Sequence, residues 1–337
     1  MQRLYGHRGW TLLSIGALIA FIVFPLFNLV VPAGHPLHLS NFWVTLAGKI
    51  MCYAIVAVAL DLVWGYAGIL SLGHGLFFAL GGYAMGMYLM RQIGREGQYQ
   101  ADLPDFMVFL DWKEFPWQWW MTDHFWWAAL LVVLVPGLLA FVFGFFAFRS
   151  RVKGVYFSIT GFGGNNGFTD FKRIVGFPIT TPGTRMALFA ITAFTLIGTL
   201  LLARWVVTSK FGRVLSAIRD AEQRVMFCGY DPVHYKVAIF TASAVLCGIA
   251  GALYVPQVGI INPSEMSPAN SIEIAIWVAV GGRGTLVGPL LGAGLVNGAK
   301  SYFTVAFPEY WLYFLGLIFI IVTLFMPRGV IGLLSRR

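Results

Sequence analysis

The chain has 337 residues, of which 58% are hydrophobic, 16% aromatic and only 11% charged, with a mean hydropathy of +0.77. An ordinary soluble domain carries roughly 25% charged residues, so this composition cannot furnish a charged surface and reads as a polytopic membrane protein. The formal net charge of +9 does not point to nucleic acid, because the basic residues gather at the ends of apolar segments, where cytoplasmic loops carry them.

A helix that crosses the hydrocarbon needs roughly 20 apolar residues. The first such run, 11–31, follows Arg3 and Arg8 without a clear small-residue cleavage site and reads as an uncleaved first span. Further spans are expected at 43–60, 66–90, 125–148, 186–207, 237–258 and 310–326, with a glycine-broken region at 270–305. The fold class is therefore all-α, a polytopic membrane helix bundle of about nine to ten crossings with one broken, half-helix pair. Asp61 reads as a cap or charge-pair member at the inner end of its span. His74, within "SLGHG", is either a hydrogen-bonded packing residue or part of a pathway. The loop 91–124 carries six acids against three bases and is assigned to the outside, where its aromatic runs "FPWQWW" and "FWW" suit an interfacial belt.

Four spans bring the chain back to the cytoplasm at Arg149, Arg151 and Lys153. The segment 204–236, with six bases against three acids, is also assigned to the cytoplasm, yet one span alone separates the two. Either an additional crossing lies between 154 and 185 or the charge rule is broken by the largest basic loop, and only "GVYFSIT", about a third of a span, is apolar in that stretch. The glycine-rich "GFGGNNG" that follows lacks both GxGxxG spacing and the GK[ST] of a phosphate-binding loop, and no strand precedes it. As an outer loop it offers Asn165, Asn166, Thr169 and Asp170 as hydrogen-bonding groups, or simply a turn built of Gly and Asn.

In the basic stretch 211–240, Val214, Ile218, Ala221 and Val225 fall at helical spacing on one apolar stripe. Asp220 stands four residues before Arg224, the favourable orientation for a helical ion pair. Gly229 can close the helix in a left-handed cap, and Asp231-Pro232 can open the next. Such an element is either a solvated loop helix or a docking helix for a groove on a cytoplasmic partner. Charge parity also divides 270–305 at "GGRGT", where glycines 281, 282 and 284 permit a tight reversal and both chain termini then face the cytoplasm. Glu273 sits a few residues into a membrane segment, as a pathway residue, an ion-pair member or a side chain reaching for the interface. Asn262, Asn270 and Asn297 are further pathway candidates. Cys52, Cys228 and Cys247 form no CxxC or Cys/His cluster, so neither a disulfide nor a metal site is expected, and no paired carboxylate or nucleophile–base set suggests an enzyme.

The helix–Gly–"YDPVHYK" arrangement, "DLVWGYAGILSLGHGLFFALGGYAMGMYLM" (61–90) and "NPSEMSPANSIEIAIWVAVGGRGTLVGPLLGA" (262–293) resemble ABC-importer permeases of the branched-chain amino acid type, over nearly the whole chain. "GFGGNNGFTDF" and the C-terminal half look closest to the urea-transporting permease subunit of that family. The resemblance implies one permease domain over 1–337 in the bacterial inner membrane, with a cytoplasmic coupling loop at 208–236 and urea or a related small amide as solute. The implied partners are a sister permease, cytoplasmic ATPases and a periplasmic binding protein, with lipid around them and no nucleic acid. ATP and Mg would be held by the ATPases, and no cofactor by this chain. The docking residues would be Arg219, Asp220, Glu222, Arg224, Gly229, Tyr230, Asp231 and Pro232. The substrate path would include His74, Asn165, Asn166, Asn262, Asn270 and Glu273. In the family the counterpart of "VYFSI" begins a full membrane helix, so a helix of about 15–20 residues looks missing near 159–161, in line with the parity argument. Branched-chain amino acids are the alternative solute. Proton-coupled secondary transport through a Glu273–His74 relay is a further, weaker alternative.

Overall fold

A computed structural model describes residues 7–32, 34–150, 167–307, 310, 313–314, 316–318, 320–321 and 329–334. The long helices are α1 (His7–Leu18, extended by π-helical turns at Ile19–Val23 and Leu26–Val30), α2 (Asn41–Asp61, extended by a π-helical turn at Leu62–Tyr66), α3 (His74–Arg91), and α5 (Phe125–Ser150), with a short α4 (Asp105–Phe109) before α5. There follow α6 (Pro182–Thr208), α7 (Lys210–Phe227), α8 (Pro232–Val258), α9 (Pro268–Gly281), α10 (Val287–Ala306) and a short α11 (Gly329–Leu334). Among the described residues the only strands are four two-residue pieces, in which β1 (Phe168–Thr169) pairs antiparallel with β4 (Ile260–Ile261) and β2 (Arg173–Ile174) with β3 (Phe177–Pro178). The helix bundle read from the sequence is the fold.

Three helix starts share one local chemistry. Ser209, Asp231 and Ser267 each accept a hydrogen bond from a first-turn amide, those of Gly212, Val233 and Asn270. Pro232 and Pro268 then occupy the first helical position, where their missing N–H costs nothing. Gly259, at φ +81°, closes α8 in a left-handed cap.

Among the described residues, five helices are long and apolar enough to cross a membrane: Gly9–Val30, Asn41–Tyr66, Phe125–Phe148, Pro182–Thr208 and Pro232–Val258. The expected span 66–90 is shorter than predicted, because the chain breaks after α2 and resumes a helix only at His74. Gly68, at φ +75°, provides the break. The region 270–305 is split as expected, with α9 and α10 joined across 282–286, where Gly282, Gly284 and Leu286 all have positive φ. The expected span 310–326 lies largely outside the described residues.

α8 is the centre of the bundle and packs on α2, α3, α5 and α6. Its contact with α3 is a glycine seam: a Cβ on Gly251 would collide with the Phe78 carbonyl, and one on Gly81 with the Gly248 carbonyl. Small residues let two backbones approach where lipid-like surroundings give little hydrophobic driving force between helices. α5 runs antiparallel to α8, since Gly144 meets Phe240 whereas Gly137 meets Val245. The chain therefore reaches Ser150 at the end of the bundle near α7, and reappears at β1, beside Ile261 at the opposite end. The crossing and the deletion expected near 159–161 fall on 151–166, outside the described residues.

Candidate functional site

Four ionisable side chains from four elements gather inside the bundle. Lys300 of α10 donates to both carboxylate oxygens of Glu273 of α9, at 2.8 and 2.8 Å. Glu265 lies in a 3-10 turn (Pro263–Met266) between β4 and α9, and its carboxylate accepts from Asn270 Nδ2 at 2.9 Å. Burial pushes the Glu265 carboxyl above the ordinary carboxylate range, while the ammonium groups of Lys49 and Lys300 pull the other way. Beneath them, Tyr53 stacks obliquely on Trp277 with ring centroids 4.8 Å apart and meets Tyr254 at 5.5 Å. Lys49 lies over the Tyr53 ring, 5.7 Å from its centroid. Ionisable groups within apolar helices are costly and mark solute pathways or pairing sites.

Of the pathway residues expected from sequence, Asn270 and Glu273 belong to this cluster. Glu273 is buried and ion-paired with Lys300. Asn262 stands next to β4, beside its pairing with β1, and accepts from Ser264 Oγ. Asn297 is buried and donates to the Ala293 carbonyl of its own helix. His74 is fully buried, with Nδ1 3.0 Å from Ser71 Oγ and Nε2 2.7 Å from Ser243 Oγ, which itself donates to the Ala59 carbonyl. Both ring nitrogens are thereby engaged by serines rather than by Glu273, as a packing histidine requires. Asn165 and Asn166 lie outside the described residues. Lys49, Glu265 and Lys300 escaped the sequence reading, although two lysines inside otherwise apolar helices carry the same signal that singled out Glu273.

At the other end of the bundle, α7 lies against it through Leu215, Ile218 and Val225, close to the predicted stripe, with Leu215 more deeply buried than Val214. The helix is kinked at Ala221, where φ −157° and ψ 71° leave the helical region. The kink removes the helical spacing between Asp220 and Arg224, so the expected pair does not form and Asp220 binds Arg219 Nε at 2.8 Å instead. Past the kink, Glu222 is held by Lys236 Nζ at 2.6 Å, and Met226, Phe227 and Tyr230 present exposed apolar surface. Phe227 is 92% exposed. Gly229 has φ +83°, and Asp231 caps α8 ahead of Pro232, as the sequence predicts.

Behind α7 the structure is tightly tied. Arg219 donates from its guanidinium to the Gly65 carbonyl at 2.7 Å. Asp61, in the last turn of α2, accepts from the backbone N–H groups of Gly284 at 2.6 Å and Leu286 at 3.1 Å. Tyr66 donates its hydroxyl to the Gly284 carbonyl at 3.0 Å, and Arg283 lies over Trp64. Asp61 is thus a cap, as one of the two sequence readings has it, but of the α9–α10 turn.

The profile of the family described as "Branched-chain amino acid transport system / permease component" matches residues 42–323. The chain is 23% identical to the high-affinity branched-chain amino acid transport system permease protein LivM of Salmonella typhimurium, over 94% of this chain and 76% of that protein. It is likewise 23% identical to LivM of Escherichia coli, over 90% of this chain and 73% of the relative. A ribose import permease protein, RbsC of Bacillus subtilis, is 30% identical over 41% of the chain and 42% of its own length. No solved structure matches. These relatives are transport components rather than enzymes, and the chain is a multi-pass membrane permease that belongs to the branched-chain amino acid transport system permease component family.

Proposed function

We propose that this chain forms one half of the translocation pathway of a bacterial inner-membrane ABC importer, with α7 and the loop 208–236 docked on cytoplasmic ATPases. The observation that carries this reading is the kinked α7. Its first half is fastened to the bundle, and beyond Ala221 it offers Met226, Phe227 and Tyr230 to a partner. Exposed apolar side chains at the tip of a basic amphipathic helix suit a groove on a soluble protein. The α7 end and both termini face the cytoplasm in this arrangement, while β1, β4 and the acidic 91–124 loop face a periplasmic binding protein. A sister permease supplies the second half of the path, and ATP with Mg sits on the ATPases.

For the solute, the named relatives weigh more toward branched-chain amino acids than toward urea. A path lined by Lys49, Glu265, Glu273 and Lys300 also offers both charges of a zwitterion a counterpart. Urea or a small amide is the second reading, favoured by the resemblance of 161–171 to urea-type permeases and by the pairing of β1, at the end of that loop, with β4 beside Asn262. Radiolabelled leucine and urea supplied with their binding proteins to the reconstituted complex decide the point. ATP-dependent uptake of one and not the other assigns the solute. Uptake that a protonophore abolishes while ATP stays high would reject ATP-driven import in favour of the proton-coupled alternative.

A further inference from the structure

One short stretch at the end of α2 touches both the α9–α10 turn and α7. The π-helical turn Leu62–Tyr66 presents the Gly65 carbonyl to Arg219. On its other side Asp61 and Tyr66 hold the backbone of Gly284 and Leu286 through three hydrogen bonds. The contact is close enough that no side chain fits between. A Cβ on Gly65 would lie 2.7 Å from Gly284 N, and one on Gly68 would lie 2.8 Å from Arg219 Cγ. Asp61 is fully buried, and its two oxygens are spent on two amides at the only break between α9 and α10. α9 then runs from this turn to Glu273 and its partner Lys300.

We infer that Asp61 and Arg219 are positioning residues of the transport cycle. Arg219 clips α7 to the end of α2, and Asp61 clips that end to the 282–286 turn, so that displacement of α7 is delivered to α9 and to the charged cluster it carries. The rest of the interface would not serve, since a charge-assisted hydrogen bond to a buried backbone group resists a pull that an apolar contact lets slide. The inference rests on the importer reading above for its purpose, but not for its geometry.

Two measurements test it. First, the purified full chain in lipid nanodiscs is followed by amide hydrogen exchange. Arg219→Ala should speed exchange at Gly284 and Leu286 about tenfold, the effect of losing one such bond, whereas Arg219→Lys, which keeps a cationic donor, should not. Unchanged exchange in Arg219→Ala overturns the linkage whatever the protein carries. Second, in the reconstituted complex, ATP hydrolysis and uptake of labelled leucine and urea are recorded together. Asp61→Asn should keep hydrolysis while solute moved per ATP falls about tenfold, and Arg219→Ala should lower solute moved per ATP by a similar factor whatever it does to ATPase docking, with Arg219→Lys restoring most of it. A parallel fall of hydrolysis and uptake, or no change in their ratio, overturns the positioning role. A wild-type complex that moves neither probe with ATP would overturn the importer reading and the positioning role with it, and the exchange result would still decide whether the clip exists.

Discussion

Glu273 and Lys300 neutralise one another between α9 and α10, and removing either leaves its partner charged in apolar surroundings. Breaking a fully buried pair costs about 3–5 kcal/mol, and the 39% exposure of the Lys300 side chain lowers that cost. Glu273→Gln or Lys300→Met should each destabilise the detergent-solubilised chain by about 1–3 kcal/mol in thermal unfolding, and the double variant should recover most of the loss. Glu265 behaves in the opposite sense. Its raised carboxyl pKa means that the folded chain holds that proton more tightly than the unfolded one, so its contribution is fully present below the unfolded pKa near 4.5 and is lost as pH rises through the folded value. Glu265→Gln should therefore unfold at a higher temperature than wild type at pH 8, and the advantage should vanish when the same scans are run near pH 4. Glu273 was visible in the sequence because it interrupts an apolar run. Glu265 was not, because "NPSEMSP" reads as a loop and only the folded chain brings it, half-buried, beside Asn270.

Helix α7 behaves as two pieces joined at Ala221. The apolar spacing, the glycine cap and the Asp-Pro start of α8 were legible in the residues, because each rests on chemistry within a few positions. The kink was not, since neither proline nor glycine stands at Ala221 to announce it. Phe227 is 92% exposed, so Phe227→Ala should leave the chain's own unfolding temperature in place while affinity for the proposed ATPase subunits falls about tenfold in a pull-down titration. The glycine seam between α3 and α8 answers differently. Gly251→Val forces a side chain into the Phe78 carbonyl and should cost about 1–3 kcal/mol in the same unfolding assay.

For the whole molecule, charge sorting supplied the architecture that no local pattern could: the split of 270–305 followed from counting which loops must share a side. What sorting could not supply was which helix lies at the centre, because α8 is no more apolar than α2 or α5 and takes its place through small residues at Gly248 and Gly251. The proposed orientation has a direct check. Cys52 and Cys247 are buried and Cys228 is exposed at the α7 end, so a membrane-impermeant maleimide should modify one thiol, in inside-out vesicles and not in right-side-out ones. Labelling of Cys228 from the periplasmic side would invert the bundle and remove the docking role of α7.

The widened turn at Leu62–Tyr66 has a bearing on how such a chain tolerates change in length. A π turn holds one residue more than the α turn it replaces, and each residue of an α-helix advances the chain by about 100° around the axis. Deleting a single residue there would leave an unbroken and locally better-formed helix. It would also swing Tyr66 and everything leading to His74 about a quarter turn out of alignment. Lineages of this permease should accordingly accept insertions in the 91–124 loop far more readily than the loss of one position from this turn.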